Sequence, residues 1–108
     1  MPRPPRSLPR EGCPDWSHEF VFDASLFDLP DVAIAVAFAR NLREAMDGRS
    51  GREVGRLTGV DFTAINKILR GQTWPDMRTI ALLEAGLGVD LWPRGVAADV
   101  SDEQRDSA

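Results

Sequence analysis

The sequence predicts an all-α fold, a compact bundle of four to five helices behind an extended N-terminal arm. Three observations carry that expectation. Apolar residues recur at helical spacing in "DVAIAVAFARNLREAMDG" (31–48) and "MRTIALLEAGL" (77–87). Residues able to cap a helix stand before each candidate element (Asp31, Ser50, Asp61, Asp76), and glycine stands behind three of them (Gly48, Gly59, Gly71). The chain has 108 residues, 43% of them hydrophobic, which suits one small domain with one core.

Residues 1–15 are rich in proline and arginine and lack apolar periodicity, the composition of a disordered or polyproline-like arm. In "HEFVFDASLF", Phe20 and Phe22 alternate with polar or smaller neighbours, a short strand signal that "DLPD" stops. The first helix is expected from its cap Asp31 to Gly48, with Ala35, Phe38, Leu42 and Ala45 or Met46 on one face. Ser50 and Glu53 form a capping box for a short second helix. Its inward face is Val54, Leu57 and Thr58, and Gly59 ends it in a left-handed conformation.

Asp61 caps a third helix that ends at Gly71. At about 100° per residue from Ile65, Ile68 and Leu69 lie on its inner side, and Thr63, Asn66, Lys67 and Arg70 cluster opposite. "TWPD" breaks the chain, because the residue before Pro75 is driven out of the helical region. Asp76 caps a fourth helix with Met77, Ile80, Leu83 and Leu87 inward, and Leu91 and Trp92 are available to seal the core. "RGVAADVSDEQRDSA" has no apolar pattern and reads as a flexible acidic tail. The expected division is an arm over 1–30, a helical domain over 31–93 and a tail over 94–108.

Charge is distributed unevenly. The net charge is −4, which by itself argues mildly against nucleic acid. Residues 40–78, however, hold eight positive groups (Arg40, Arg43, Arg49, Arg52, Arg56, Lys67, Arg70, Arg78) against five negative, a net +3 between acidic ends.

The second and third helices are short, capped at both ends and joined by three or four residues containing Gly59, which is the helix-turn-helix arrangement. Val54, Leu57, Val60, Ile65 and Ile68 would lock them at a fixed angle. The polar face of the third helix then projects outward, where it can enter a major groove wide enough for a helix. "SGREVGRLTGVDFTAINKILRGQTWPDMRTIALLEAGLGV" resembles the Xre, or lambda-repressor-like, family of bacterial and phage transcriptional regulators. The marks are Ser50 and Glu53, then Val54 and Gly55 where the family usually has Leu-Ala, then Gly59, Val60, Ile65, Ile68, Arg70, Gly71, Pro75 and the ending Leu87, Gly88, Val89. The resemblance covers residues 38–92, and its last part is particularly similar to actinobacterial members. It departs from the family pattern at Leu69, where glutamate is frequent, at Gly51, where glutamine is frequent, and at Phe62, where a polar residue is usual.

The resemblance implies a cytoplasmic regulator that binds double-stranded DNA as a homodimer on a two-fold operator. Phe62, Thr63 and Lys67 are the candidate base-contacting residues. Phe62 could touch a thymine methyl or could turn into the core. Candidate phosphate contacts are Ser50, Gly51, Arg52, Arg56, Asn66, Arg70 and Thr73, with backbone N–H groups serving at Gly51. Arg3, Arg6 and Arg10 could form an arm entering a minor groove, although a solubilising tail is the simpler reading.

No cofactor is implied. Cys13, Asp15 and His18 do not close a tetrahedral metal site. His18 is the only histidine, no nucleophile has a second histidine to serve it, and an enzyme is not expected. The lone Cys13 fits a reducing compartment, and no apolar run is long enough to span a membrane. Two alternatives accompany the regulator reading. One is the antitoxin of a toxin–antitoxin pair, whose acidic terminus grips a basic toxin. The other is a helical adaptor that binds protein and no longer binds DNA.

Overall fold

In the computed structural model, which describes residues 8–13, 16 and 29–99, four α-helices surround one core: α1 (Pro30–Met46), α2 (Gly51–Thr58), α3 (Phe62–Leu69) and α4 (Met77–Leu87). A 3-10 turn at Pro9–Gly12 precedes them, and residues 96–99 are again helical. The described residues contain no strand, and none of their helices is long and apolar enough to cross a membrane. The short strand expected near Phe20 and Phe22, together with Asp15 and His18, lies outside the described residues.

Pro30 sits in the first turn of α1, where a missing N–H costs nothing, and Asp31 Oδ1 accepts from the adjacent N–H of Val32. Asp31 is therefore not the cap; that place belongs to Leu29, which offers no side-chain bond. The other end also differs from expectation. Asp47, in the left-handed region at φ 51°, closes α1 one residue before Gly48. Arg49 then reinforces this end, donating from Nε to Met46 O and from its guanidinium to Ala45 O.

Phe38, Leu42 and Met46 of α1 meet Val54, Val60, Ile65, Ile68, Leu83 and Leu91 in the main core. The expected face of α1 is buried, but so are Val32, Ala33, Val36, Ala37 and Ala39, so its N-terminal half is buried on more than one face. A second cluster joins Val32 and Val36 to Cys13, with Leu29, Trp16 and Trp74 at its edge. The segment expected to be an unstructured arm is thus partly regular, because Pro9 and Cys13 are buried against α1.

Three large residues expected inside are not. Leu57 is 51% exposed, Met77 86% and Trp92 50%. On α2 the buried slot goes to Thr58, because α4 crosses so closely that a Cβ on Gly86 would lie 2.7 Å from Leu57 O and from Thr58 Cα. Met77 is the first residue of α4, below the core. Leu91 and Pro93 are buried on either side of Trp92. Glu84 ties this loop down by accepting from Leu91 N at 2.7 Å and Trp92 N at 3.1 Å. The Leu91 N–H first, and then that of Trp92, holds the Glu84 carboxyl below its ordinary range.

Candidate nucleic-acid interface

The junction of α2 and α3 is built from bonds between near neighbours in the chain. Ser50 Oγ accepts from Glu53 N at 3.1 Å and so caps α2. The reciprocal half of the capping box differs from expectation: the Glu53 carboxylate meets the Ser50 hydroxyl, at 3.4 Å. At the other end of α2, Thr58 Oγ1 donates to Val54 O at 2.8 Å and accepts from Val60 N at 3.2 Å. This satisfies the one buried polar side chain of the described core and directs the chain into the turn. Gly59 stands at φ 80°, in the left-handed region expected of it. Asp61 Oδ1 accepts from Thr63 N at 2.8 Å and opens α3.

α3 buries Ile65 and Ile68 in the core and packs Leu69 against it. Thr63, Lys67 and Arg70 are exposed, and Asn66 is half-buried. Ser50, Arg52 and Arg56 are exposed around α2, while Gly51 and Thr73 are half-buried. Two of these residues touch across the helices: Asn66 Oδ1 would be 3.2 Å from a Cβ on Gly51. A side chain at Gly51 would have to displace the Asn66 carboxamide by a few tenths of an ångström. A Cβ on Gly55 would meet Val60 O at 2.8 Å, which makes the turn too tight for the alanine usual there.

Phe62 does not turn into the core. The side chain is 40% exposed, and the Arg52 guanidinium lies over its ring at 4.8 Å from the centroid. The 100° rule along each helix does not reveal a contact between two helices.

The outer face so formed holds Arg52, Arg56, Lys67 and Arg70, with Asp61 engaged as the cap of α3 and the Glu53 carboxylate turned to the Ser50 hydroxyl. Cations at both ends of α3 and small polar groups between them suit a polyanion whose grooves accept a helix. Of the other cations in 40–78, Arg49 is committed to the end of α1 and Arg40 pairs with Glu44 at 3.5 Å.

A further feature went unseen in the sequence. Trp16 donates its indole N–H to Leu69 O, the last carbonyl of α3, at 3.0 Å. Arg10 N donates to Gly71 O at 2.9 Å. The only sequence signal was the coincidence of a tryptophan in a proline-rich arm with an Arg-Gly at the end of a helix, which specifies no contact.

Residues 40–91 match the model of a protein family described as helix-turn-helix. The match begins inside α1 and ends at Leu91, so it includes every candidate DNA-contacting residue named between Ser50 and Thr73. No curated protein and no solved structure matches the chain.

Proposed function

We propose, from the match of residues 40–91 to the helix-turn-helix family model, that the chain is a sequence-specific DNA-binding transcriptional regulator reading the major groove with α3. The observation that carries this reading is the division of α3 itself. Ile65 and Ile68 are buried while Thr63 and Lys67 stand exposed on the outward side, next to cations from α2. Lys67 and Thr63 read base edges, with Phe62 at the entry of the helix. Ser50, Gly51, Arg52, Arg56, Asn66, Arg70 and Thr73 hold the flanking phosphates. The protein acts as a homodimer, so its operator has two half-sites related by two-fold symmetry. The family is a regulatory one and generally without enzymatic activity.

The test is selection of bound fragments from genomic DNA with the purified protein, followed by binding to single-base variants of the selected site. A palindromic site with half-sites about one helical turn apart is expected. Lys67→Ala should cost about 1–3 kcal/mol on that site and relax preference at one or two base pairs. Unchanged affinity and preference in a folded Lys67→Ala protein would remove α3 as the reading helix and bring forward a protein-binding adaptor.

A further inference from the structure

We propose that Trp16 is a positioning residue for the DNA-reading surface, a strut that sets the C-terminal end of α3 from outside the helix-turn-helix; this rests on the reading of α3 given above. An α-helix leaves its last carbonyls without intrahelical partners. In α3 the Leu69 carbonyl takes the indole N–H of Trp16, 53 positions away, at 3.0 Å. The same ring occupies the space beside the next turn. A Cβ on Gly71 would lie 2.7–2.8 Å from three indole carbons, so a glycine is required there by the tryptophan as well as by its φ of 69°. Arg10 N fixes Gly71 O from the same side, at 2.9 Å.

The strut has a foundation. Successive turns, Cys13 N to Arg10 O at 3.1 Å and Trp16 N to Cys13 O at 3.0 Å, lead from the 3-10 turn to the indole. Pro9 and Cys13 are buried, and Cys13 packs on Val32 and Val36 of α1. Trp16 therefore couples the N-terminal half of α1 to the end of α3. Lys67 lies in the last turn of α3, and Arg70 caps that turn. A tilt released at this end moves both, while Asp61 and the Gly59 turn still hold the beginning.

The experiment uses the full chain and three variants, Trp16→Ala, Trp16→Phe and Gly71→Ala. Trp16→Phe keeps an aromatic ring and removes the donor to Leu69 O; Gly71→Ala keeps the indole and drives a methyl into it. Amide hydrogen exchange is read at Arg70, Gly71 and Gln72, whose N–H groups bond Asn66 O, Ile68 O and Lys67 O. It is compared with exchange at Val54 in α2. Exchange at the three α3-end amides is expected to quicken about tenfold in Trp16→Ala while Val54 is unchanged, a difference that reports local rather than global opening. Binding to the site selected by the natural protein, at a temperature where circular dichroism shows full helicity, is expected to weaken about tenfold. Base preference should alter near the Lys67 contact, and the salt slope should fall by at most about one unit, since Arg70 is the one phosphate-binding cation displaced. Trp16→Phe should fall between the natural protein and Trp16→Ala.

Unchanged exchange at 70–72, or equal loss of protection at Val54, overturns the proposal, the second because it marks a plain contribution to stability. Unchanged affinity and base preference with locally quickened exchange also overturns it. If the natural protein selects no DNA, the regulator reading fails, and exchange at 70–72 decides by itself whether Trp16 sets the end of α3.

Discussion

The two ends of α3 are held by different means. At its beginning every bond comes from a neighbour in the chain: Gly59 N to Gly55 O, Val60 N to Thr58 Oγ1, and Thr63 N to Asp61 Oδ1. At its end the local bonds of Arg70, Gly71 and Gln72 N–H are joined by restraints from the N-terminal segment, Trp16 on Leu69 O and Arg10 on Gly71 O. A helix of eight residues has little stability of its own. It keeps its place because it is fixed at both ends, and at the second end part of the fixing comes from outside the helix-turn-helix.

The largest expected effect removes what both ends share. Ile65 is fully buried between α1, α2 and α4. Ile65→Ala should cost about 2–5 kcal/mol, measured as a lower midpoint of urea unfolding. If the midpoint did not move, α3 would not be seated on this core and the comparison of its ends would lose its basis.

The next prediction breaks the first end alone. No atom lies within 4 Å of where a Cβ would project from Gly59, so a side chain there meets open space. The penalty of Gly59→Val is then purely that of holding a β-branched residue at positive φ, about 1–2 kcal/mol. Gly71, at φ 69°, should be the more sensitive of the two, since a methyl there also strikes the indole. Thermal melts of Gly59→Val and Gly71→Ala compare the two ends directly, and a Gly59→Val protein that melts with the natural one would show that the first turn tolerates another conformation.

The same contrast explains what the sequence made legible. The caps Ser50, Asp61 and Asp76 and the turn at Gly59 were readable because each acts on a backbone N–H or φ angle two or three residues away. The family pattern over 38–92 was readable for the same reason, and the matched segment 40–91 agrees with it. Leu57, Met77 and Trp92 were placed inward by helical angle or by hydrophobicity, and each is exposed. A helical wheel gives the face of a short helix but not where the next helix crosses. Here the close approach at Gly86 gives the slot to Thr58. Asp31 has the residue type of a cap but not its place, because Pro30 already begins the helix. Trp16 was illegible because its partner is 53 positions away and is a backbone carbonyl, which leaves no mark on composition.

A smaller effect sharpens the account of the first end. Arg52 and Phe62 add a side-chain contact from α2 to the first residue of α3, and both are exposed. A double-mutant cycle with Arg52→Ala and Phe62→Ala should give a coupling of about 0.5–1 kcal/mol in stability. A coupling of zero would mean that the junction rests on its hydrogen bonds alone and that Arg52 is free to follow a phosphate. With DNA, Arg52→Ala should also lower the salt slope by roughly one unit across all sequences.

The smallest effect is present at neutral pH and vanishes in acid. The turn that begins at Gly71 ends at Asp76, which caps α4 by accepting from Thr79 N at 2.7 Å. The Thr79 N–H first, its hydroxyl next, and the nearby Arg78 charge hold the Asp76 carboxyl below its ordinary value of 3.8. A carboxyl depressed in the folded protein favours folding when ionised. Its contribution is fully present above the unfolded value, and it is lost as pH falls below about 3.8 and through the lower folded value. Asn caps a helix about as well as Asp but does not titrate. Asp76→Asn should therefore change stability little near pH 7, and its deficit should shrink further as the pH is lowered from about 5 to 2. Urea unfolding of both proteins across that range gives the difference curve. Glu84, also held low, titrates in both proteins and cancels from the difference. A difference that stayed flat down to the acid limit would show that the Asp76 carboxyl gains nothing from Thr79 beyond what a neutral cap supplies.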